Sequence, residues 1–307
     1  MADRARLAGV TAITVTSVLW GTTGTAATFA NAGPLAIGAA ALGIGGLLQA
    51  AIAVPALRAA RMQLRQNIGI VVTGALAVAI YPLAFYSSMH LSGVAIGSVV
   101  SLASAPLASG MLERFVDRRP LSRWWMASAL LGLTGSVMLC LSQLDRSAPT
   151  GSGGSIGAMT LGVGLGLVAG GSYAVYSWAV HRLIARGAGR AASMGAVFGA
   201  GGTLLMPVLL VTGAPLLAST ESFVVAAYMA LVPMFVGYAL FGFGLTRVTA
   251  STATTITLTE PAVAAVLAVV VVGEHLAPVG WAGLIVIGLV LVIFALAPTN
   301  APAAARL

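Results

Sequence analysis

The chain has 307 residues, 59% of them hydrophobic and only 7% charged, whereas a soluble domain carries about 25% charged residues. With a mean hydropathy of +1.02, that composition excludes a soluble globular protein and predicts an all-α integral membrane protein that crosses the bilayer several times. The net charge of +8 comes from fifteen basic residues, every one an arginine, and their positions mark topology rather than a nucleic-acid patch.

Apolar segments of span length fall at about 8–30, 33–57, 68–90, 93–112, 123–142, 156–179, 191–213, 222–245, 250–272 and 278–297, each near the roughly 20 residues that a hydrocarbon core demands. With the N-terminus inside, the cytoplasmic connections collect Arg4, Arg6, Arg58, Arg61, Arg65, Arg114, Arg118, Arg119, Arg123, Arg182, Arg186, Arg190, Arg247 and Arg306, leaving only Arg146 outside. The positive-inside rule then predicts ten spans with both termini cytoplasmic. The first segment follows Arg4 and Arg6 and precedes Ala30-Asn31-Ala32. It is longer than a signal-peptide core and reads as an uncleaved helix. Cys140 is the only cysteine, so neither an intrachain disulfide nor a cysteine metal site is available.

The first segment is rich in Thr, Gly and Ala around Trp20; small residues and hydroxyls suit a helix that faces its neighbours or a cavity. Trp20 is too deep for an interfacial aromatic belt, which leaves bundle packing or a cavity wall. The third segment carries Tyr81-Pro82 and Phe85-Tyr86 and ends at His90, expected at the solvated end. Its proline permits a kink, in a pathway-lining helix or in ordinary packing. The fourth segment runs into Glu113 to Arg119, expected as a charged cytoplasmic turn. The sixth has Gly162, Gly166 and Gly170 at four-residue spacing, a face that lets another helix come close. Tyr173, Tyr176 and Trp178 follow, with Trp178 read either as a belt anchor or as a substrate contact.

Shifting the fourth segment by 155 residues lays it on the ninth: Ala95 on Ala250, Pro106 on Pro261, Leu112 on Leu267, Val116 on Val271, Leu121 on Leu276. The neighbouring segments keep their order and lengths. The chain therefore divides into a first repeat at 1–142, a flexible periplasmic linker at 143–155 and a second repeat at 156–307. Five helices per repeat insert the second upside down, the pattern of transporters whose site lies near the midplane between inverted halves.

Glu260 is the only ionisable residue expected near the centre of a span, next to Pro261 in a stretch otherwise small and hydroxyl-rich. A carboxylate at that depth costs roughly 2.5–3.5 kcal/mol on insertion scales and needs protein or water around it. It can bind a cationic group or carry a proton; the alternative is a structural bond to backbone groups freed at Pro261 or to a neighbouring helix. Thr257 shares its helical face. In the first repeat the same place holds Ala105, with Ser98 and Ser101 on its face. HExxH, GxSxG and Gly-rich phosphate loops are absent, His90, His181 and His275 are far apart, and no enzyme, cofactor or metal is implied. A channel lined by hydroxyls stays open as a reading, without a charged ring or filter motif in its favour.

Leu19-Trp20-Gly21, Ser104-Ala105-Pro106, the run from Thr259-Glu260-Pro261 to Gly273-Glu274-His275-Leu276, and Gly280-Trp281-Ala282-Gly283-Leu284-Ile285 resemble the two repeats of EamA-domain transporters of the drug/metabolite transporter superfamily. The resemblance implies ten helices, a central cavity, and alternating access that exports amino acids, other metabolites or toxic compounds across the bacterial inner membrane. Aromatic amino-acid exporters of that superfamily commonly carry tryptophan before the fourth-helix proline; here it is Ala105. The first repeat also has Arg118-Arg119 where the second has Gly273-Glu274. The expected substrate site comprises Trp20, Tyr86, Ser98, Ser101, Tyr173, Tyr238, Thr257 and Glu260, with a small polar or cationic solute as substrate and a proton as the candidate coupling ion.

Overall fold

The computed structural model describes residues 2–27, 29–144, 156–267, 269–270 and 277–296. Most of the predicted linker, Arg146, Arg306 and the Gly273-Glu274-His275 ending lie outside these residues. Among them all regular structure is helical. The long elements are α1 (Ala2–Ala27), α2 (Pro34–Ile52), α3 (Ile68–Ser92), α4 (Val94–Met111), α5 (Arg123–Leu144), α6 (Ile156–Ala185), α7 (Arg190–Thr212), α8 (Thr220–Leu245), α9 (residues 250–267) and α10 (Pro278–Leu296). Seven of these, α1 to α4 and α6 to α8, are long and apolar enough to cross a membrane, and α10 holds a shorter apolar helix, Pro278–Ile293. The arginines of α1, α6 and α7 and of the α4–α5 connection gather at one end of the bundle.

The exposed surface shows why lipid is the solvent. On α3, Ile68, Val72, Leu76 and Ile80 are exposed at four-residue spacing, while Val71, Ala75, Val78 and Phe85 face inward. The interior carries buried hydroxyls, among them Thr16, Ser17, Ser88 and Thr254, as expected where association depends on close packing and hydrogen bonds. The α6 glycine stripe seats α3 and α4. A Cβ at Gly162 would lie 2.8 Å from Ser92 Cβ, and one at Gly166 would lie 2.9 Å from Val100. Ser88 donates to the Gly162 carbonyl at 2.7 Å across the same seam. On α7, Gly195 and Gly199 take Ala53 and Ala50 of α2 in the same way.

The tertiary pairs include α3 with α6, α1 with α8, α4 with α6, α1 with α9, α2 with α7, α5 with α10 and α3 with α7. Besides the π-helical turn Leu112–Val116 that follows α4, three elements depart from regular helix within their length. Both α2 and α8 widen into π-helix, at Ala39–Ile44 and at Ala230–Val236 around Pro233, and these two stretches pack against each other. The ninth segment is not one helix: Ala250–Ile256 is followed by a 3-10 turn, Thr257–Thr259, and a second helix opening at Glu260-Pro261. The turn begins at Thr257, four residues before Pro261, whose ring nitrogen has no hydrogen to donate to the Thr257 carbonyl and whose ring crowds it.

Candidate functional site

The breaks in α2, α8 and α9 meet at one place. The distortion of α8 frees backbone carbonyls, and side chains from neighbouring helices take them. Trp20 Nε1 donates to the Pro233 carbonyl at 2.9 Å, and Gln49 Nε2 donates to that of Phe235 at 2.6 Å. Thr16 shares its hydroxyl between the Ala12 carbonyl at 3.0 Å and that of Gly237 at 3.1 Å. Such partners are what a broken helix requires away from water. They also bring α1 and α2 up against α8.

Beside this junction lies a cavity lined by Trp20 and Thr23 of α1, Gly38, Ala41 and Leu42 of α2, Tyr81, Pro82, Phe85 and Tyr86 of α3, Met234 and Tyr238 of α8, and Glu260 of α9. Its volume is about 20 Å³, room for about one water molecule. Glu260 is 8% exposed. Among the described residues nothing hydrogen-bonds to its carboxyl and nothing forms an ion pair with it. The tyrosines Tyr81, Tyr86, Tyr173 and Tyr238 all lie within its electrostatic reach. The structural bond at Pro261 that the sequence left open is therefore not made by this carboxyl.

Four of the eight expected site residues, Trp20, Tyr86, Tyr238 and Glu260, line the cavity. Tyr173 and Thr257 form the layer behind it: the Tyr173 hydroxyl donates to Thr257 Oγ1 at 2.9 Å, and the Tyr173 ring meets Trp20 edge-on at 6.0 Å. Ser98 and Ser101 are not brought to the cavity. Their helix packs that region on α6, where the Ser101 carbonyl and Ser104 Oγ crowd Gly170, and the Ser101 hydroxyl bonds back to Gly97 at 2.7 Å. The sequence reading left out Tyr81 and Gln49, each of which carried a signal: Tyr81 precedes a proline within a span, and Gln49 is an amide in an apolar one.

Toward the arginine-bearing end the cavity is floored by aromatics. Trp20 and Tyr238 stand 4.7 Å apart, Phe198 and Tyr238 4.4 Å, and Tyr173 and Tyr176 5.2 Å; the Tyr176 and Tyr238 hydroxyls share a hydrogen bond of 2.8 Å. Beyond this floor the charged turn after α4 is not a solvated one. Glu113 is buried and accepts from both the backbone N–H and the hydroxyl of Ser251, each at 2.8 Å, adding to the Thr249 cap of α9. Asp117 pairs with Arg182 and accepts from Trp178 Nε1 at 3.0 Å, which gives Trp178 a structural partner. Arg186 bonds to Asn67. His90 is exposed, as expected for a helix end, and among the described residues no three metal-ligating side chains gather.

A bundle of apolar helices, broken around a buried acid that has no partner among the described residues, defines a multi-pass membrane protein. The comparisons give its class. Residues 160–296 match the EamA-like transporter family. The uncharacterized transporter YwfM of Bacillus subtilis (strain 168) is 32% identical over 289 residues, 93% of each chain. A solved crystal structure, 21% identical, superposes with a TM-score of 0.70 over 95% of both chains, a likeness of fold. The chain belongs to the EamA-like transporter family of the drug/metabolite transporter superfamily.

Proposed function

We propose that the chain is a secondary transporter exporting a small polar or cationic metabolite across the bacterial inner membrane by alternating access, with the Glu260 cavity as its substrate site. The observation that carries this reading is the cavity itself: an acid that no group among the described residues satisfies, at the meeting point of three broken helices. An unpaired buried carboxylate is costly, and a substrate cation or a proton is what would compensate it. Ten spans, cytoplasmic termini and two inverted halves complete the proposal. In support, the helix pairs α3 with α6 and α8 with α1, and α4 with α6 and α9 with α1, exchange under a shift of five helices, while α2 with α7 and α5 with α10 map onto themselves.

Purified protein in proteoliposomes tests the mechanism. A carrier shows saturable uptake of a labelled solute, accelerated by unlabelled solute on the far side. Non-saturating flux that ignores the far side would establish the passive channel instead. The cavity of about 20 Å³ favours the carrier, because a continuous pore has no closed compartment at its centre.

A further inference from the structure

The groups facing the cavity discriminate between classes of solute. Glu260 supplies one negative charge, 8% exposed and without a protein partner among the described residues. Trp20, Tyr81, Phe85, Tyr86 and Tyr238 supply rings. The indole N–H of Trp20 is committed to Pro233 at 2.9 Å and the Tyr238 hydroxyl to Tyr176 at 2.8 Å, so what these two offer a ligand is their aromatic surface. Neither arginine nor histidine lines the cavity. Arg182 and Arg186, in the α6 wall of the bundle, are held at its end by Asp117 and Asn67.

A free amino acid brings an ammonium and a carboxylate, and by charge this cavity complements only the first; against the second it offers only the neutral hydroxyls of Thr23, Tyr81 and Tyr86. Its carboxylate would be desolvated among rings whose faces carry negative quadrupole charge and beside a second carboxylate. An ammonium without a carboxylate meets the opposite situation: an unpaired acid and several ring faces able to form cation–π contacts. We propose that the cavity takes a monovalent organic cation, a primary or quaternary ammonium bearing an apolar group and no carboxylate. This rests on the reading of the cavity as the substrate site. Because the cavity has a volume of only about 20 Å³, such a cation enters only as the helices around it move apart.

The test is calorimetric titration of the purified, intact chain in detergent with four probes that share a phenyl ring: benzyltrimethylammonium, phenethylammonium, phenylalanine and 3-phenylpropionate. Both cations are expected to bind at least about tenfold more tightly than phenylalanine, with no binding of the anion, since uncompensated burial of a charge costs more than the roughly 1.4 kcal/mol that a tenfold change represents. Glu260→Gln is expected to weaken both cations by about tenfold or more and Glu260→Asp to retain them, as loss of a buried charge partner implies. The proposal is overturned if phenylalanine binds as tightly as phenethylammonium, if Glu260→Gln binds the cations like the parent, or if neither cation binds. The comparison of phenethylammonium with phenylalanine uses the parent protein alone, so it stands even if Glu260→Gln fails to fold. Trans-accelerated flux of a solute that is not a cation, alongside failed cation binding, removes the substrate class and leaves the carrier in place.

Discussion

Glu113 and Glu260 are both buried acids, and they differ in what touches them. Glu113 accepts two hydrogen bonds from Ser251 in the first turn of α9, where the helix dipole also favours a negative group. Removing it strands a buried N–H and a hydroxyl, so Glu113→Ala is expected to destabilise the folded protein by about 2 kcal/mol. Glu260 makes no such bond among the described residues, and Glu260→Gln, which removes a buried charge that nothing there compensates, is expected to leave the folded protein at least as stable as the parent while removing transport and any dependence of transport on pH. Thermal unfolding in detergent and proteoliposome flux, measured on both variants, check the pair. A destabilised Glu260→Gln beside an unaffected Glu113→Ala would exchange their roles. The titratable groups that face Glu260 are Tyr81 and Tyr86 of α3, Tyr173 of α6 and Tyr238 of α8, so the pH profile is read against these neighbours. Glu260 was legible in the sequence because an acid inside an apolar span has few roles. Glu113 was not, since Arg114, Asp117, Arg118 and Arg119 around it describe a solvated turn. Its burial is set by Ser251, 138 residues away, and no local pattern encodes that distance.

At the scale of elements, helix seams depend on where glycine sits more than on how much of it there is. Gly170 and Gly171 are adjacent in α6, yet a Cβ on Gly170 would collide with Ser104 and with the α4 backbone, while one on Gly171 would meet nothing within 4 Å. Gly170→Val is expected to lose roughly 1–3 kcal/mol by overpacking against backbone that cannot retreat. Gly171→Ala is expected to be neutral or to gain up to about 1 kcal/mol from helix propensity. Folded yield and unfolding temperature of the two variants decide this, and equal losses would mean that the α4–α6 seam is not the tight one. The four-residue glycine spacing announced such a seam in the sequence but did not say which helix fills it. The same limit explains Ser98 and Ser101: periodicity put them on a face with Ala105, and the fold gave α4's surface there to α6 instead of the cavity. Pro233 marked the break in α8, whereas the π stretch of α2 contains no proline. It faces the α8 break, and that pairing is a property of the packed bundle.

At the scale of the whole molecule, contacts among the described residues join the two halves at both ends of a bundle whose cavity has a volume of about 20 Å³. At the arginine-bearing end, Glu113–Ser251, Asp117–Arg182, Asp117–Trp178 and Asn67–Arg186 each join the first half of the chain to the second. At the other end the halves meet through the Thr22 and Tyr228 hydroxyls at 2.7 Å and through the Asn31 N–H donating to Ser222 at 3.3 Å. If transport requires the halves to part at one end and then the other, tying either end shut stops it. In a Cys140→Ser background, which removes the only native thiol, paired Asp117→Cys and Arg182→Cys substitutions bridged by a short bifunctional thiol reagent should abolish counterflow. A bridge between Thr22→Cys and Tyr228→Cys should do the same, and a cleavable reagent should restore flux on reduction in both cases. Each unbridged double variant serves as its own reference, so the lost ion pair or hydrogen bond is separated from the tether. Undiminished counterflow in fully bridged protein would show that the halves do not separate at that end, and would redirect the pathway away from the seam that these contacts close.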